Sequence, residues 1–458
     1  MKRDILGQGL RLGLVLMLCA AGCSKRPDAE ASRPSAEVAT EPAAQPEPTP
    51  PFESRPGDIV IDLAYRGLSG TDEDITYGWS MGMGRQDEGD EFLAQVRKVS
   101  PDCLPVYNSY FKDAEWSGLE MTGGRPSKLY MDLNANHRLD PNEAIAPLPP
   151  DPGDAQETRF VTPNFFVRTR DGRQCLMRVR LTASIYNEGE PPSCMWSPAC
   201  ILEGKWTSPA GTPQKVLLFA ATLDGGFDRF GNSNLALADA NQVLKGYVPD
   251  QTSLSRIMPM ADRFYRVFPL IGGEDYEGSR IVLRRYDGQV GRLAVDLSDQ
   301  PGLKTRLSGL RLVGSEDSGI VMNVQGGQTE LPVGGYKVQS GTLRYGRNDP
   351  DEWMTQFQGD RVVTVVAGQT AQLTLSKPVL GIEAVDYDRR GYSDEKPRTE
   401  FKQGTKIYLT RTLTGQAGEQ YTRLYRNTPE EPYQAAKPHL TVTDAKGVER
   451  VSADLEYG

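Results

Sequence analysis

What most constrains this chain is its punctuation. Its 458 residues include 47 glycines and 33 prolines, spread along most of the sequence. No segment between them sustains the 3.6-residue apolar period of a long helix. A chain interrupted this often buries its apolar groups on short strands joined by turns. The pattern predicts an all-β fold of two to three β-sandwich-like or barrel-like domains.

Order is expected to begin near Asp58. There Ile59, Ile61 and Leu63 alternate with Val60, Asp62 and Ala64, a strand pattern. Glu91 to Val99 reads as a short helix or an amphipathic strand. Strand candidates follow at 127–131, 165–170, 175–185, 215–223, 263–269 and 280–286, and then at 303–313, 319–324, 336–343, 361–366 and 372–375. Asp287-Gly288 lies between Ile281-Val282-Leu283 and Gly291 to Val295, which signals a hairpin. Residues 380–458 read as a last sandwich, with strands at 406–412, 421–426, 440–443 and 454–457. Boundaries near 250 and 350, the second at Asp349-Pro350-Asp351, give units over 56–250, 251–350 and 351–458.

Residues 23–55 carry no apolar periodicity and hold Pro27, Pro34, Pro42, Pro46, Pro48, Pro50 and Pro51. Such a segment cannot offset its ordering entropy by burial, so it is expected to be a disordered tether. It would reach ~30 Å as a coil and approach ~100 Å as polyproline.

Ahead of the tether, residues 1–22 place Lys2, Arg3 and Arg11 before and at the start of an apolar stretch. The stretch ends in Leu18-Cys19-Ala20-Ala21-Gly22-Cys23. This layout is that of an export signal, and its Ala-Gly-Cys ending resembles a bacterial lipoprotein signal, with Ala20 where Leu is commonest. The resemblance implies cleavage before Cys23 and lipids on its thiol and new amine. Ser24 implies sorting to the outer membrane, facing periplasm or cell surface. The competing readings are an ordinary secretory cut and a retained anchor. The apolar run falls short of the ~20 residues that span a bilayer comfortably. Formal charge is −9, and loss of the leader takes it to −11, a balance that repels nucleic acid phosphates.

Beyond the leader stand Cys103, Cys175, Cys194 and Cys200. An even number in an exported chain reads as two disulfides with three possible pairings. Cys194 and Cys200 flank a short segment that a local clip would close, and Cys103 with Cys175 would then join two strand regions. A zinc site is disfavoured, because no Cys-x-x-Cys occurs and the chain has only two histidines.

The sharpest chemical motif runs from Asp132 to Glu143. Oxygen side chains stand at positions 1, 3, 5, 9 and 12 (Asp132, Asn134, Asn136, Asp140 and Glu143). A hard cation takes six or more oxygens, and a closing carboxylate supplies two. The spacing resembles the calcium loop of EF-hands and dockerins. The resemblance implies a Ca2+ site with Arg138 contributing its backbone carbonyl. His137 replaces the usual glycine at the sharp turn, where positive φ is expected. The flanks depart from an EF-hand: a strand precedes the loop, and Pro147, Pro149 and Pro150 forbid a long exiting helix. A second stretch, Asp224-Gly225-Gly226-Phe227-Asp228 with Asn232, Asn234, Asp239 and Asn241, looks like a decayed loop of the same kind. The pair of loops loosely resembles uncharacterised exported β-rich proteins of planctomycete-type bacteria.

Gly78-Trp79-Ser80-Met81-Gly82 fits a nucleophile elbow, but that turn works only over a parallel sheet. Asp386-Tyr387-Asp388 and Tyr421 to Arg426 mix aromatics with charge, as recognition surfaces and half-buried strands both do. The sequence therefore reads as a lipid-anchored cell-envelope protein. It is expected to be a non-catalytic binding or structural module, stabilised by calcium, for a carbohydrate or protein ligand. The alternative is a carbohydrate-active hydrolase using an Asp/Glu pair, such as Asp386 with Asp388 or Glu383.

Overall fold

The computed structural model describes residues 14–15, 52–68, 90–106, 117–150, 156–168, 174–186, 191–208, 211–220, 223, 225–240, 252–260, 263–297, 305–346, 353–376, 378–386, 397–398, 400–402, 405–415, 418–426, 434–435, 439–443 and 446–454. It is nearly all-β, with 61% of the described residues in strands and 3% in helix, arranged in several separate sheets. The leader cysteine, almost all of the tether, the Gly78–Gly82 motif and Asp388 lie outside the described residues.

The expected first strand forms as β1 (Ile59–Gly67). Its alternation places Ile61 and Leu63 inward, at 2% and 6% exposure. Glu91 to Val99 resolves as a helix, α1 (Asp90–Val99), with Arg97 and Lys98 in its last turn, where they complement the helix dipole. A four-stranded sheet follows: β2 (Cys103–Pro105), β3 (Ser117–Thr122), β4 (Arg125–Met131) and β5 (Ala144–Ile145). Next come β6 (Glu157–Val161), β7 (Phe165–Arg168), β8 (Gln174–Met177), β9 (Val179–Ser184) and β10 (Ser193–Pro198). Of these, β10-β9-β6 make a three-stranded sheet and β7-β8 a pair.

The largest element of the first core is an eight-stranded sheet. Besides β1 it takes β11 (Cys200–Thr207), β12 (Pro213–Phe219), β13 (Asn234–Asp239), β14 (Thr252–Ser253), β15 (Ile257–Met260), β16 (Arg263–Leu270) and β17 (Arg280–Arg285). The order is β14-β13-β12-β11-β1-β17-β16-β15. Its inward residues meet Phe160, Leu181 and Trp196 from the three-stranded sheet and Leu119, Leu129 and Met131 from the four-stranded sheet in one core. The run Val216-Leu217-Leu218-Phe219 is apolar on both parities because both faces are covered. Leu218 joins the main core, whereas Leu217 and Phe219 join Ile201 and Ala236 behind the sheet.

The second core is a sandwich. One layer is β18 (Val290–Asp296) between β21 (Gln328–Pro332) and β25 (Thr370–Thr374), the last running parallel to β18. The other is a nine-stranded sheet. It carries β19 (Thr305–Gly314), β20 (Val321–Val324), β22 (Gly334–Tyr345), β23 (Trp353–Gln358), β24 (Val362–Val365), β26 (Val379–Asp386), β27 (Ile407–Thr414) and β28 (Gln420–Arg426), with Gln434–Ala435 on its margin. Leu293, Leu331 and Leu373 face Leu312, Leu343 and Phe357 across the layers. Tyr336, near the start of β22, buries its ring and donates its hydroxyl to the Pro332 carbonyl at 2.8 Å. A hairpin, β29 (His439–Thr443) with β30 (Glu449–Asp454), follows.

Strand pairing crosses both expected boundaries. Residues 257–285 close the first sheet against β1, more than 200 positions earlier in the chain, and β23 pairs with β22 on one side and β28 on the other. The anticipated hairpin at Asp287-Gly288 does not form. Its two flanks enter different sheets, β17 pairing with β16 and β1, and β18 with β21 and β25. The chain passes from one core to the other at that turn. The cores are stitched by Arg311, which donates to the Gly231 carbonyl at 2.6 Å and to the Ser253 hydroxyl, and by the Val321 amide, which donates to Ser255 Oγ at 2.8 Å.

Where the tether meets the fold, Arg284 on β17 grips the incoming chain. Its guanidinium donates to both Asp58 oxygens, at 2.9 and 2.8 Å, and to the Glu53 carbonyl at 2.9 Å, and lies beside the paired rings of Phe52 and Phe268. The hydrogen bonds from Arg284 hold the Asp58 carboxyl down to about 2 from an ordinary 3.8. A carboxylate depressed by folding stabilises the folded state fully above about pH 4, and that contribution drains away as the pH falls through the folded value. Arg284→Ala is therefore expected to flatten the acid limb of a melting-temperature profile between pH 4 and pH 2. An unchanged limb would show that the pair contributes nothing.

Candidate functional site

The Asp132–Glu143 loop joins β4 to a single 3-10 turn, Pro141–Glu143, which runs straight into β5. Strand and proline thus replace both helices of an EF-hand, as the flanking sequence requires. The loop folds around its own carboxylates. Asp132 is fully buried, and its two oxygens accept from the Asn136 amide at 3.1 Å and the His137 amide at 2.7 Å. Glu143, 5% exposed, accepts from the Leu133 amide at 3.0 Å and the Asp140 amide at 3.1 Å, tying the two ends of the loop together. Asn134 Oδ1 accepts from the Asn136 amide, Asn136 Oδ1 from the Arg138 amide, and Asn136 Nδ2 donates to Asp140 at 2.9 Å. His137 takes φ +58°, and so does its near neighbour Ala135 at +56°. The sequence marks the first of these turns and gives no sign of the second.

The electrostatics of the loop follow from burial. Desolvation raises the proton affinity of Asp132, and desolvation together with the neighbouring Asp132 raises that of Glu143. Two carboxylates brought together out of water are each harder to ionise, and a cation between them relieves that cost. Carboxylate and amide oxygens each keep lone pairs beyond the one used within the loop. The donor set therefore fits a hard, oxygen-seeking cation. Among the described residues no three His, Cys, Asp or Glu side chains converge closely enough to hold a metal ion, so Asp132, Asp140 and Glu143 do not form a closed three-carboxylate site by themselves. A cation here would rest on Asp132 and Glu143, supplemented by Asn134, Asn136, Asp140 and the Arg138 carbonyl.

The decayed second loop folds differently. Phe227 is fully buried, edge-on to Tyr276 at 5.1 Å, and Ser233 Oγ donates to the Gly226 carbonyl at 2.8 Å. Its residues feed the core; Asp224 and Asn241 lie outside the described residues.

Two disulfides are expected from the sequence, and the described residues hold none: Cys103, Cys175, Cys194 and Cys200 are all buried and unbridged. A clip between Cys194 and Cys200 is excluded by extension: the four steps of β10 from Cys194 to Pro198 carry the chain ~13 Å, and the Ala199 amide continues the pairing by donating to the Arg178 carbonyl, against a ~7 Å limit between bridged Cα atoms. Spacing on the page looks like a loop; in the fold it is a strand. Cys103 packs with Val96, Tyr130 and Leu139, whereas Cys175 belongs to the main core.

Candidates for catalysis are dispersed. Glu383 and Asp386 stand three apart on β26, so they project from opposite faces of the sheet. A depression of about 490 Å³ beside α1 and β2 is lined by Arg97, Asp102, Cys103 and Met121, with a single acid. His439, missed from sequence, lies between Asp454 (Nδ1 to Oδ1, 2.8 Å) and Ser452 (Nε2 to Oγ, 2.8 Å). The order is that of a Ser-His-Asp set, but His439 and Asp454 are 56% and 61% exposed and every β30 residue is exposed. Water has free access to all three, so the contacts form a cross-strand polar ladder. No helix among the described residues is long and apolar enough to cross a membrane. Comparison with known protein families, curated proteins and solved structures gives no match.

Proposed function

We propose that the chain is a lipid-anchored module of the bacterial cell envelope. In this reading Cys23 holds it at the outer membrane, the Pro-rich segment spaces it from the headgroups, and calcium in the Asp132–Glu143 loop stabilises the first core. Its role is to bind a carbohydrate or protein ligand of the envelope, or to serve as a structural module. The feature that carries this reading is the leader that ends in Ala-Gly-Cys and gives way at once to a long proline-rich run. Support for a non-catalytic role comes from the dispersal of the described acids and from the exposure of the Ser452-His439-Asp454 arrangement.

The test is fractionation. Wild-type protein is expected in the membrane pellet after a high-salt wash, released only by detergent. Cys23→Ser is expected in the soluble fraction, because lipidation supplies the apolar anchor. Retention of the variant in the washed pellet would overturn the lipid anchor.

A further inference from the structure

The face of the eight-stranded sheet that looks away from the main core carries a group of arginines where the tether arrives. On β16 and β17 the side chains alternate. Tyr265, Val267, Ile281 and Leu283 enter the core, so Arg266, Phe268, Arg280 and Arg284 take the opposite face. Arg266 lies directly across from Arg284, a register that is unfavourable for like charges unless something answers them. Asp58 answers Arg284, at 2.9 and 2.8 Å. Arg266 is exposed and stacks on the Tyr286 ring, 5.2 Å from its centroid; among the described residues no acid pairs with it. Arg280, also exposed, has Asp62 across from it on β1, yet no ion pair joins the two. An apolar strip runs beside these cations. Phe52 and Phe268 pair at 5.0 Å, and Val60, across from Val282, is 48% exposed.

We propose that this face lies against an anionic phospholipid surface, with Arg266 and Arg280 taking headgroup phosphates and the Phe52–Val60 strip resting at headgroup depth. Two observations choose that occupant. The first is charge complementarity. The chain as a whole is acidic, and here unanswered guanidinium groups stand beside aromatic rings, which pair with phosphate and settle at a membrane boundary respectively. The second is where the tether ends. It delivers the chain at Phe52, on this same face, within a ~30 Å coil of Cys23. A chain held that close to the headgroups meets them at high effective concentration, so a weak contact suffices to orient it. The membrane as partner rests on the reading of Cys23 as a lipid anchor; the recognition of anionic charge does not.

The test is vesicle co-sedimentation of the full chain carrying Cys23→Ser, so that no attached lipid contributes. Binding is expected to vesicles of phosphatidylglycerol mixed with phosphatidylcholine, is expected to fall steeply with added salt, and should be much weaker to phosphatidylcholine alone. An arginine near an anionic bilayer contributes about fivefold, so Arg266→Gln/Arg280→Gln should weaken binding roughly 30-fold. Both side chains are exposed, so the melting temperature should not move. Arg292→Gln/Arg361→Gln removes the same charge from exposed positions of the second core and should leave binding near wild type. No binding to the anionic vesicles, equal binding to both kinds, or equal weakening by the two double variants would overturn the face. Displacement by inorganic phosphate beyond that by sodium chloride of equal ionic strength would overturn the membrane as occupant and leave a site for free phosphate. The anchor is judged separately. Cys23→Ser retained in a high-salt-washed pellet defeats the lipid reading, whereas the salt-sensitive vesicle binding survives that result.

Discussion

Trp196→Ala should lower the stability of the first core by ~3–5 kcal/mol, the usual cost of emptying a fully buried aromatic site. Trp196 is 0% exposed and lies directly across from Leu181, which lies across from Phe160, so three fully buried side chains make one row across the three-stranded sheet. That row is how the small sheet stacks on the large one. Phe357→Ala should cost a similar amount in the second core. Its ring covers Gly341 on the neighbouring strand, where a Cβ would lie 2.3 Å from the ring tip; the glycine exists to admit the ring. Urea unfolding followed by core-specific probes should show each variant shifting mainly its own transition, with Val362→Ala, 52% exposed, as a neutral control. A cost below ~1 kcal/mol for Trp196→Ala would mean that the two sheets are not stacked as described.

The contrast between these sites and what the sequence reveals is physical. Local period is legible: Ile59, Ile61 and Leu63 announce a strand, and the proline-bounded flanks of the Asp132–Glu143 loop announce that no EF-hand helices follow. Partner choice is not. β1 lies between β11 and β17, and nothing local to Ile59–Gly67 names residues 200–204 or 280–283 as neighbours. Strand pairing runs across positions 250 and 350 for the same reason: turn residues mark where a strand ends, and the sheet it joins is decided by distant burial. The turn at Asp287-Gly288 has hairpin chemistry, yet its flanks carry apolar faces that fit two different cores. Within the calcium-type loop, the oxygen spacing and the strained His137 backbone are written in the sequence. The burial of Asp132 is not, because it depends on the sheet that the loop closes.

Calcium should raise the melting temperature of the first core, and Glu143→Gln should abolish most of that rise. A ligand that binds only the folded state adds about 2.7 kcal/mol at 100 times Kd, or roughly 5–10 °C for a unit of this size. The two variants of the loop act differently. Asp132 accepts from two backbone amides, so Asp132→Ala leaves donors unpaired and should lower stability by ~1–3 kcal/mol even in chelator. Glu143→Gln keeps an oxygen toward one of the Leu133 and Asp140 amides and turns an NH2 toward the other, so in chelator its melting point should fall, but less than that of Asp132→Ala, while the calcium response should vanish. Binding should also weaken as the pH falls, since protons compete for the carboxylates that the ion needs. A wild-type shift that survives unchanged in both variants would place the ion elsewhere. No shift at millimolar calcium would reduce the loop to an Asx-rich turn, in which case burying two carboxylates side by side would be a cost that only the Leu133 and Asp140 amides and the Asn136 and His137 amides offset.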